Sequence, residues 1–316
     1  MKILFTYHVL RDAFKELEAR YEVIFPQGRY FDYEEVLAMI PDCDVLCSMF
    51  DFPVTSELID AGKNLKLIAN YAVGYNNIDV DYAAKMGVTV CNTPEPVIAP
   101  TANLALGLMI DVARRISESD RGLRSGKFGD KKGIMDNLGS QISGKTLGIF
   151  GMGRIGKALC RRANACGMDV IYHNRRQLDV EEETKLNVVY VAFEELLKQS
   201  DFLSINAPLT SLTRHVFNAD ALAKMKSSAF LINTARGPLV DEKALVDALK
   251  NGVISGAALD VFEFGDCPLP ELLEMNNVVL TPHIGTQTVD GRYDMASAVC
   301  DNVIGFIEGD RRIFKV

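Results

Sequence analysis

The sequence predicts an α/β protein of two domains, each built on a parallel sheet, and three observations carry that reading. Short β-branched or apolar runs alternate with amphipathic stretches, the pattern of repeated βα units. At 316 residues the chain exceeds the roughly 250–300 residues at which a single core stops growing. Two proline-marked breaks, at 92–96 (with Pro100 shortly after) and at 282–285, interrupt the alternating series.

In the first part, 3–7, 45–47, 67–69 and 88–91 read as strands, and 14–21 and 33–39 as helices. The Pro-dense break cannot continue a strand, and a helix over 101–116 follows it. The second series of strands is stronger: 146–150, 170–172, 202–206, 230–233, 256–259 and 278–280 are short apolar runs that end in turn residues. A last helix over 289–306 can pack back on the first domain. The expected domains are therefore 1–96 with 287–316, and an inserted domain 97–286.

Composition excludes several classes. Hydrophobic residues at 48% and charged residues at 24% are ordinary for a globular chain. A formal charge of −8, with no basic stripe beyond pairs such as Arg161-Arg162, argues against a nucleic-acid partner. No apolar run reaches the roughly 18 residues of a membrane span. The N-terminus lacks the long apolar region and cleavage site of a signal peptide, so a cytoplasmic location is expected. Seven Cys without Cys-x-x-Cys spacing and only four His form no zinc constellation. No metal is expected, and the cysteines read as buried free thiols.

Residues 146–156 carry a G-x-G-x-x-G loop, Gly151, Gly153 and Gly156, between a predicted strand and a predicted helix over 157–166. In that context Gly151 makes the tight turn, Gly153 admits a pyrophosphate close to backbone, and Gly156 lets helix pack on strand. The helix N-terminus offers free N–H groups and a positive dipole end to the phosphates. The acid that usually meets the ribose hydroxyls about 20 residues on is replaced by Asn174, followed by Arg175 and Arg176. Asn does not repel a 2′-phosphate, and a guanidinium can bind one in a bidentate pair. NADP(H) is therefore expected in preference to NAD(H).

Three later segments each follow a predicted strand: 233–241 with Thr234, Ala235 and Arg236, 256–263 with Asp260, and 281–285 with His283 and Gly285. The carboxyl ends of strands are where an open α/β sheet binds ligands. Together they supply a fixed cation, acids and an imidazole. Reduction of a 2-oxo acid needs a cation for the carboxylate and ketone, and an acid that delivers a proton as hydride arrives.

With these segments, and with Asn70-Tyr71-Ala72-Val73-Gly74-Tyr75-Asn76-Asn77-Ile78-Asp79, Asn92-Thr93-Pro94 and Pro208-Leu209-Thr210, the chain resembles the D-isomer-specific 2-hydroxyacid dehydrogenase family from about residue 45 to the end. The resemblance is to its glyoxylate/hydroxypyruvate reductase-like members. It implies two Rossmann-like domains: a doubly wound parallel sheet for the cofactor and a flavodoxin-like substrate domain. It implies that Arg236 binds the substrate carboxylate and ketone, and that His283 is the proton donor in reduction and the base in oxidation. Backbone N–H groups of Val73 and Gly74 would bind the carboxylate. Thr101, Arg154, Ile155, Ala207, Pro208, Thr234, Ala235, Asp260 and Gly285 would line the cofactor site together with Arg236 and His283. It also implies a homodimer, with the helix after Pro100 and the segment 121–142 at the interface.

The chain departs from the family pattern after Asp260-Val261-Phe262. The family's second Glu, partner of the catalytic His, aligns with Gly265. Asp266 is favoured over Glu263 as its replacement, and such a carboxylate would raise the pKa of His283 by favouring the imidazolium. Asn206 and Asn103 also replace family residues. The expected substrate is a small 2-oxo acid, with 3-phosphoglycerate dehydrogenase and a non-catalytic dinucleotide-sensing corepressor as alternatives. The side-chain pocket is expected from 48–52 and 71–75, where Met49, Phe50 and Phe52 could form an apolar wall as readily as core.

Overall fold

The computed structural model describes residues 1–49, 51–127, 133–309 and 313–316. The chain divides into two units, Met1–Val97 with Thr286–Val316, and Ile98–Gly285. Both are α/β, and every strand pairing within their sheets is parallel.

The first unit holds β1 (Lys2–Phe5), β2 (Glu22–Ile24), β3 (Val45–Ser48), β4 (Leu67–Asn70) and β5 (Thr89–Cys91). Their order is β2-β1-β3-β4-β5, the flavodoxin-like arrangement. β3 and β4 are buried at every position, which is why they read as continuous apolar runs rather than as alternation. β2 escaped the sequence reading because it is a three-residue edge strand with no buried residue. Leu4, Leu46, Ile68, Leu58 and Val90 share the core. The helix Val289–Glu308 packs on β4 and on the turn Arg11–Phe14. Thr288 caps its start by accepting from Gly291 N at 3.0 Å. The chain end then runs antiparallel along β5: Asn92 N donates to Phe314 O and Val316 N to Val90 O, both at 3.0 Å. This covers an edge that would otherwise expose unpaired backbone.

The second unit holds β6 (Thr146–Phe150), β7 (Asp169–His173), β8 (Val189–Tyr190), β9 (Phe202–Ile205), β10 (Phe230–Asn233), β11 (Gly256–Leu259) and β12 (Val278–Leu280). Their order, β12-β11-β10-β9-β6-β7-β8, is doubly wound and reverses direction between β6 and β9. That switch point is where such sheets open a crevice for a dinucleotide. One core gathers Leu203, Phe217, Leu231 and Leu245, and another Met109, Leu147, Ile149, Leu159 and Tyr172. The helix Ile98–Arg114 begins before the expected 101 because Pro100 lies in its first turn, where a missing N–H costs nothing. Because all seven strands are parallel, the residues after β6, β7, β9, β10, β11 and β12 emerge on one edge. They include the glycine loop, Asn174, Asn206 and the three later segments singled out in the sequence.

Among the described residues no helix is long and apolar enough to cross a membrane. Cys267 is exposed, against the expectation of uniformly buried thiols, because it sits on the surface segment after β11.

Candidate active site

The glycine loop is shaped by close approaches. Gly151 has φ +101°, and a Cβ there would stand 2.6 Å from Ala207 N. A Cβ on Gly156 would lie 2.4 Å from Gly151 O. Both positions exclude any larger residue. Gly153 is different: nothing lies within 4 Å of its would-be Cβ. It caps the helix Arg154–Ala165, which starts three residues before the expected 157 and so brings its free N–H groups to the loop. Arg154 is exposed and Ile155 packs partly into the core. Asn174 follows β7, and its Oδ1 accepts from Met152 N at 2.7 Å. The side chain that stands in the acid position thus also braces the loop. Arg175 and Arg176 are exposed and make no ion pair with a described residue.

These features fit a bound dinucleotide. The buried atoms Thr234 Oγ1, after β10, and Asn206 Oδ1, after β9, have no hydrogen-bond partner among the described residues. Such orphans are uncommon, and a ligand on this edge would satisfy them. Ala207 continues from Asn206 against Gly151, and Pro208 follows it. Thr101 is buried in the helix Ile98–Arg114, with Oγ1 3.5 Å from where a Cβ on Gly285 would stand.

Arg236 closes the turn after β10. Asn233 organises that turn by accepting from Ala235 N and donating to Arg236 O, both at 3.0 Å. The Arg236 guanidinium donates to Ala235 O at 2.6 Å and meets no carboxylate among the described residues. Burial lowers its pKa. Gly237 is obligatory here, since a Cβ would stand 1.9 Å from Phe262 O.

Asp260 follows β11 and is 1% exposed. Its carboxylate accepts from Thr281 Oγ1 at 2.6 Å, Ile284 N at 2.8 Å and Gly285 N at 2.9 Å. Burial pushes its pKa up, and these bonds oppose the shift. His283 N donates to the main-chain oxygens of Asp260 and Thr281, at 3.0 Å each, and the residue adopts a left-handed conformation with φ +53°. Asp260, read from sequence as a cofactor contact, is here the anchor of the loop that presents His283.

The carboxylates near this loop are distributed unequally. Glu263 bonds to His215, to Arg214 at 3.3 Å and to Glu242 N at 3.2 Å. Glu242, 3% exposed, returns the bond from Glu263 N at 2.7 Å and also accepts from Leu269 N at 2.7 Å. Asp266 is exposed just after Gly265, whose φ is +104°, and bonds to no described residue. Neither acid is bonded to His283. The Glu242–Glu263–His215 lock was not foreseen, because its members lie 21 and 48 residues apart. Asn103 accepts from Arg162 Nε at 2.6 Å, which ties two helices of this unit.

In the first unit, Val73 and Gly74 are half-buried in the loop after β4. Tyr71 reaches Arg292 O at 2.5 Å. Asn77 donates to Met49 O at 3.0 Å and Phe52 O at 2.8 Å, which joins the two loops expected to form the pocket. Phe52 is core, stacked on Tyr33; Phe50 lies outside the described residues.

Residues 106–285 match the family described as D-isomer specific 2-hydroxyacid dehydrogenase, NAD binding domain. The glyoxylate reductase of Thermococcus onnurineus (strain NA1) is 42% identical over 315 residues, covering 98% of this chain and 93% of that one. Among solved structures, a glyoxylate reductase from Paecilomyes thermophila superposes with a TM-score of 0.90 at 37% identity, covering 100% of this chain and 98% of the other. An NADPH-dependent glyoxylate/hydroxypyruvate reductase from Sinorhizobium meliloti does so with a TM-score of 0.89 at 31% identity, covering 100% and 97%.

The contrast among the glycines gives a test of the loop. Gly153→Ala should leave urea unfolding within about 0.5 kcal/mol of the parent, since its Cβ meets nothing. It should weaken NAD(P)H binding at least about tenfold in a fluorescence titration, by keeping phosphate away from backbone. Unchanged binding would mean that the pyrophosphate does not approach Gly153.

Proposed function

Because the chain belongs to the D-isomer-specific 2-hydroxyacid dehydrogenase family, oxidoreductases with a nicotinamide dinucleotide domain, we propose that it reduces a small 2-oxo acid such as glyoxylate or hydroxypyruvate with NADPH, or oxidises the matching D-2-hydroxy acid. The observation that carries the reading is Arg236, half-buried, its guanidinium meeting no carboxylate among the described residues, on the same sheet edge as His283. A partly desolvated cation with no carboxylate beside it gains when an anionic substrate binds.

The glycine loop and the orphaned Thr234 hydroxyl would hold the dinucleotide, which when bound would supply or accept the hydride. Arg236 binds the substrate carboxylate and polarises the ketone, and the N–H groups of Val73 and Gly74 bind the carboxylate. His283 gives its proton to the ketone oxygen in reduction and takes it back in oxidation. Asp266 is the carboxylate we assign to His283, because Glu263 is already committed to His215, Arg214 and Glu242. The names of the Thermococcus and Sinorhizobium relatives support a glyoxylate or hydroxypyruvate substrate. A cytoplasmic homodimer is part of the same reading. Ile134 and Met135, 94% and 73% exposed, support an interface on 121–142, of which 128–132 lie outside the described residues.

A panel of 2-oxo acids with NADPH tests the activity directly. His283→Ala should lower turnover by about 10²–10⁴-fold, and Arg236→Ala should impair both KM and kcat. Near-normal kinetics would remove the residue from the mechanism. Dinucleotide binding with no turnover on any 2-oxo acid would instead mark a non-catalytic sensor.

Cofactor choice follows from Asn174, Arg175 and Arg176. One charge-assisted bond of roughly 1.5–3 kcal/mol to the 2′-phosphate gives about a 10- to 150-fold preference. NADPH should exceed NADH in kcat/KM by at least about tenfold, less at high salt. Asn174→Asp should move the preference toward NADH, since the carboxylate keeps the acceptor for Met152 N and repels the phosphate. A parent that prefers NADH would place both arginines in solvent.

A further inference from the structure

The loop after β4 has an unusual distribution of backbone bonds. The carbonyls of Ala72, Val73 and Gly74 are all claimed, while the N–H groups that follow them, of Val73, Gly74 and Tyr75, donate to no described residue. Ala72 O accepts from Thr93 N at 3.0 Å and from Asn70 Nδ2 at 3.4 Å. Val73 O accepts from Asn92 Nδ2 at 2.9 Å. Gly74 O accepts from Asn70 Nδ2 at 2.7 Å. No peptide bond here is cis, and in a trans peptide the C=O and the following N–H point in opposite directions. Pulling the carbonyls of Ala72, Val73 and Gly74 inward therefore turns the N–H groups of Val73, Gly74 and Tyr75 outward. None of the three donates to a described residue. Successive outward N–H groups form an anion-binding concavity.

Both side chains are themselves fixed. Asn70 is fully buried at the end of β4, where its Oδ1 accepts from Ser48 Oγ at 3.4 Å. Asn92 is held through its backbone: its N donates to Phe314 O at 3.0 Å, and its O accepts from Asn302 Nδ2 at 2.9 Å. Asn302, 3% exposed, in turn accepts from Phe314 N at 3.1 Å.

We propose that Asn70 and Asn92 are positioning residues for the substrate carboxylate: their side-chain amides hold the loop carbonyls inward and so aim the N–H groups of Val73, Gly74 and Tyr75 at the anion. The inference rests on the reading above that this loop receives the carboxylate. Neither Asn touches the substrate; each acts through the peptide planes. Only a side-chain donor can do this, so Asp, of the same shape but bearing acceptor oxygens, should reverse the effect by repelling the carbonyl.

The test uses the full-length enzyme with glyoxylate as substrate and oxamate as an unreactive carboxylate. Asn92→Asp should raise both the glyoxylate KM and the oxamate inhibition constant by about 10- to 100-fold, the scale of a lost charge-assisted bond. Its kcat should change much less, and NADPH binding and the thermal midpoint should stay near the parent's. A purely structural role would lower the midpoint and leave KM and oxamate inhibition alone, which overturns the proposal. Asn70→Asp should act in the same direction; because Asn70 is fully buried and that variant can fail to fold, the half-buried Asn92 decides the matter. If the parent reduces no 2-oxo acid and binds no oxamate, both this inference and the substrate reading fall. If the parent is active and Asn92→Asp matches it, only this inference falls.

Discussion

A carboxylate taken out of water has to find its hydrogen bonds in the protein, and the second unit is arranged around that requirement at Asp260. Three donors converge on its two oxygens, from Thr281, Ile284 and Gly285. All of them belong to the turn after the neighbouring strand. Without the carboxylate this turn would leave the N–H groups of Ile284 and Gly285 unsatisfied, next to a His283 held with φ +53°. The register of β11 on β12, Leu259 opposite Leu280, brings the acid and the turn to one level. The strand pairing places the acid, and the acid with the main-chain bonds of His283 N holds the turn that presents His283.

The opposite condition holds at Arg236. Its turn is as closely determined, by Asn233 and by the contact of Gly237 with Phe262 O. Yet its guanidinium is partly desolvated and meets no acid among the described residues. The acids close in sequence to β11 are spent elsewhere: Glu263 and Glu242 lock each other's backbone. That lock holds the segment against which Gly237 packs, so the chain stiffens the cation's surroundings without neutralising it. Buried acids that are satisfied beside a cation with no carboxylate among the described residues suit the anionic substrate proposed above.

Much of this was legible in the sequence because the signals are local. The glycine loop reads at spacings of two and three residues, after a β-branched strand. Arg236 and His283 stand in segments that follow apolar runs, and parallel order makes such segments share an edge. Parallel sheets follow from alternation, and their doubly wound and flavodoxin-like orders from the family resemblance. Short edge strands were missed because two or three residues carry no period. The start of the helix at Arg154 was misread by three residues, because capping by Gly153 leaves no side-chain signal.

What the sequence by itself determined is the fold class, the dinucleotide loop and the family, since each rests on residue types at short separations. What only the tertiary structure decided is how polar side chains are spent. Asn174 stands in the acid position by its place after β7, but that its oxygen also braces Met152 N depends on a contact 22 residues away. Glu263 reads as a free acid until His215, 48 residues earlier, is folded against it. The outward N–H groups of Val73, Gly74 and Tyr75 are set by amides from Asn70 and Asn92 that no spacing announces. A hydrogen bond depends on distances and angles of tenths of an ångström, and those exist only after strands distant in sequence have paired.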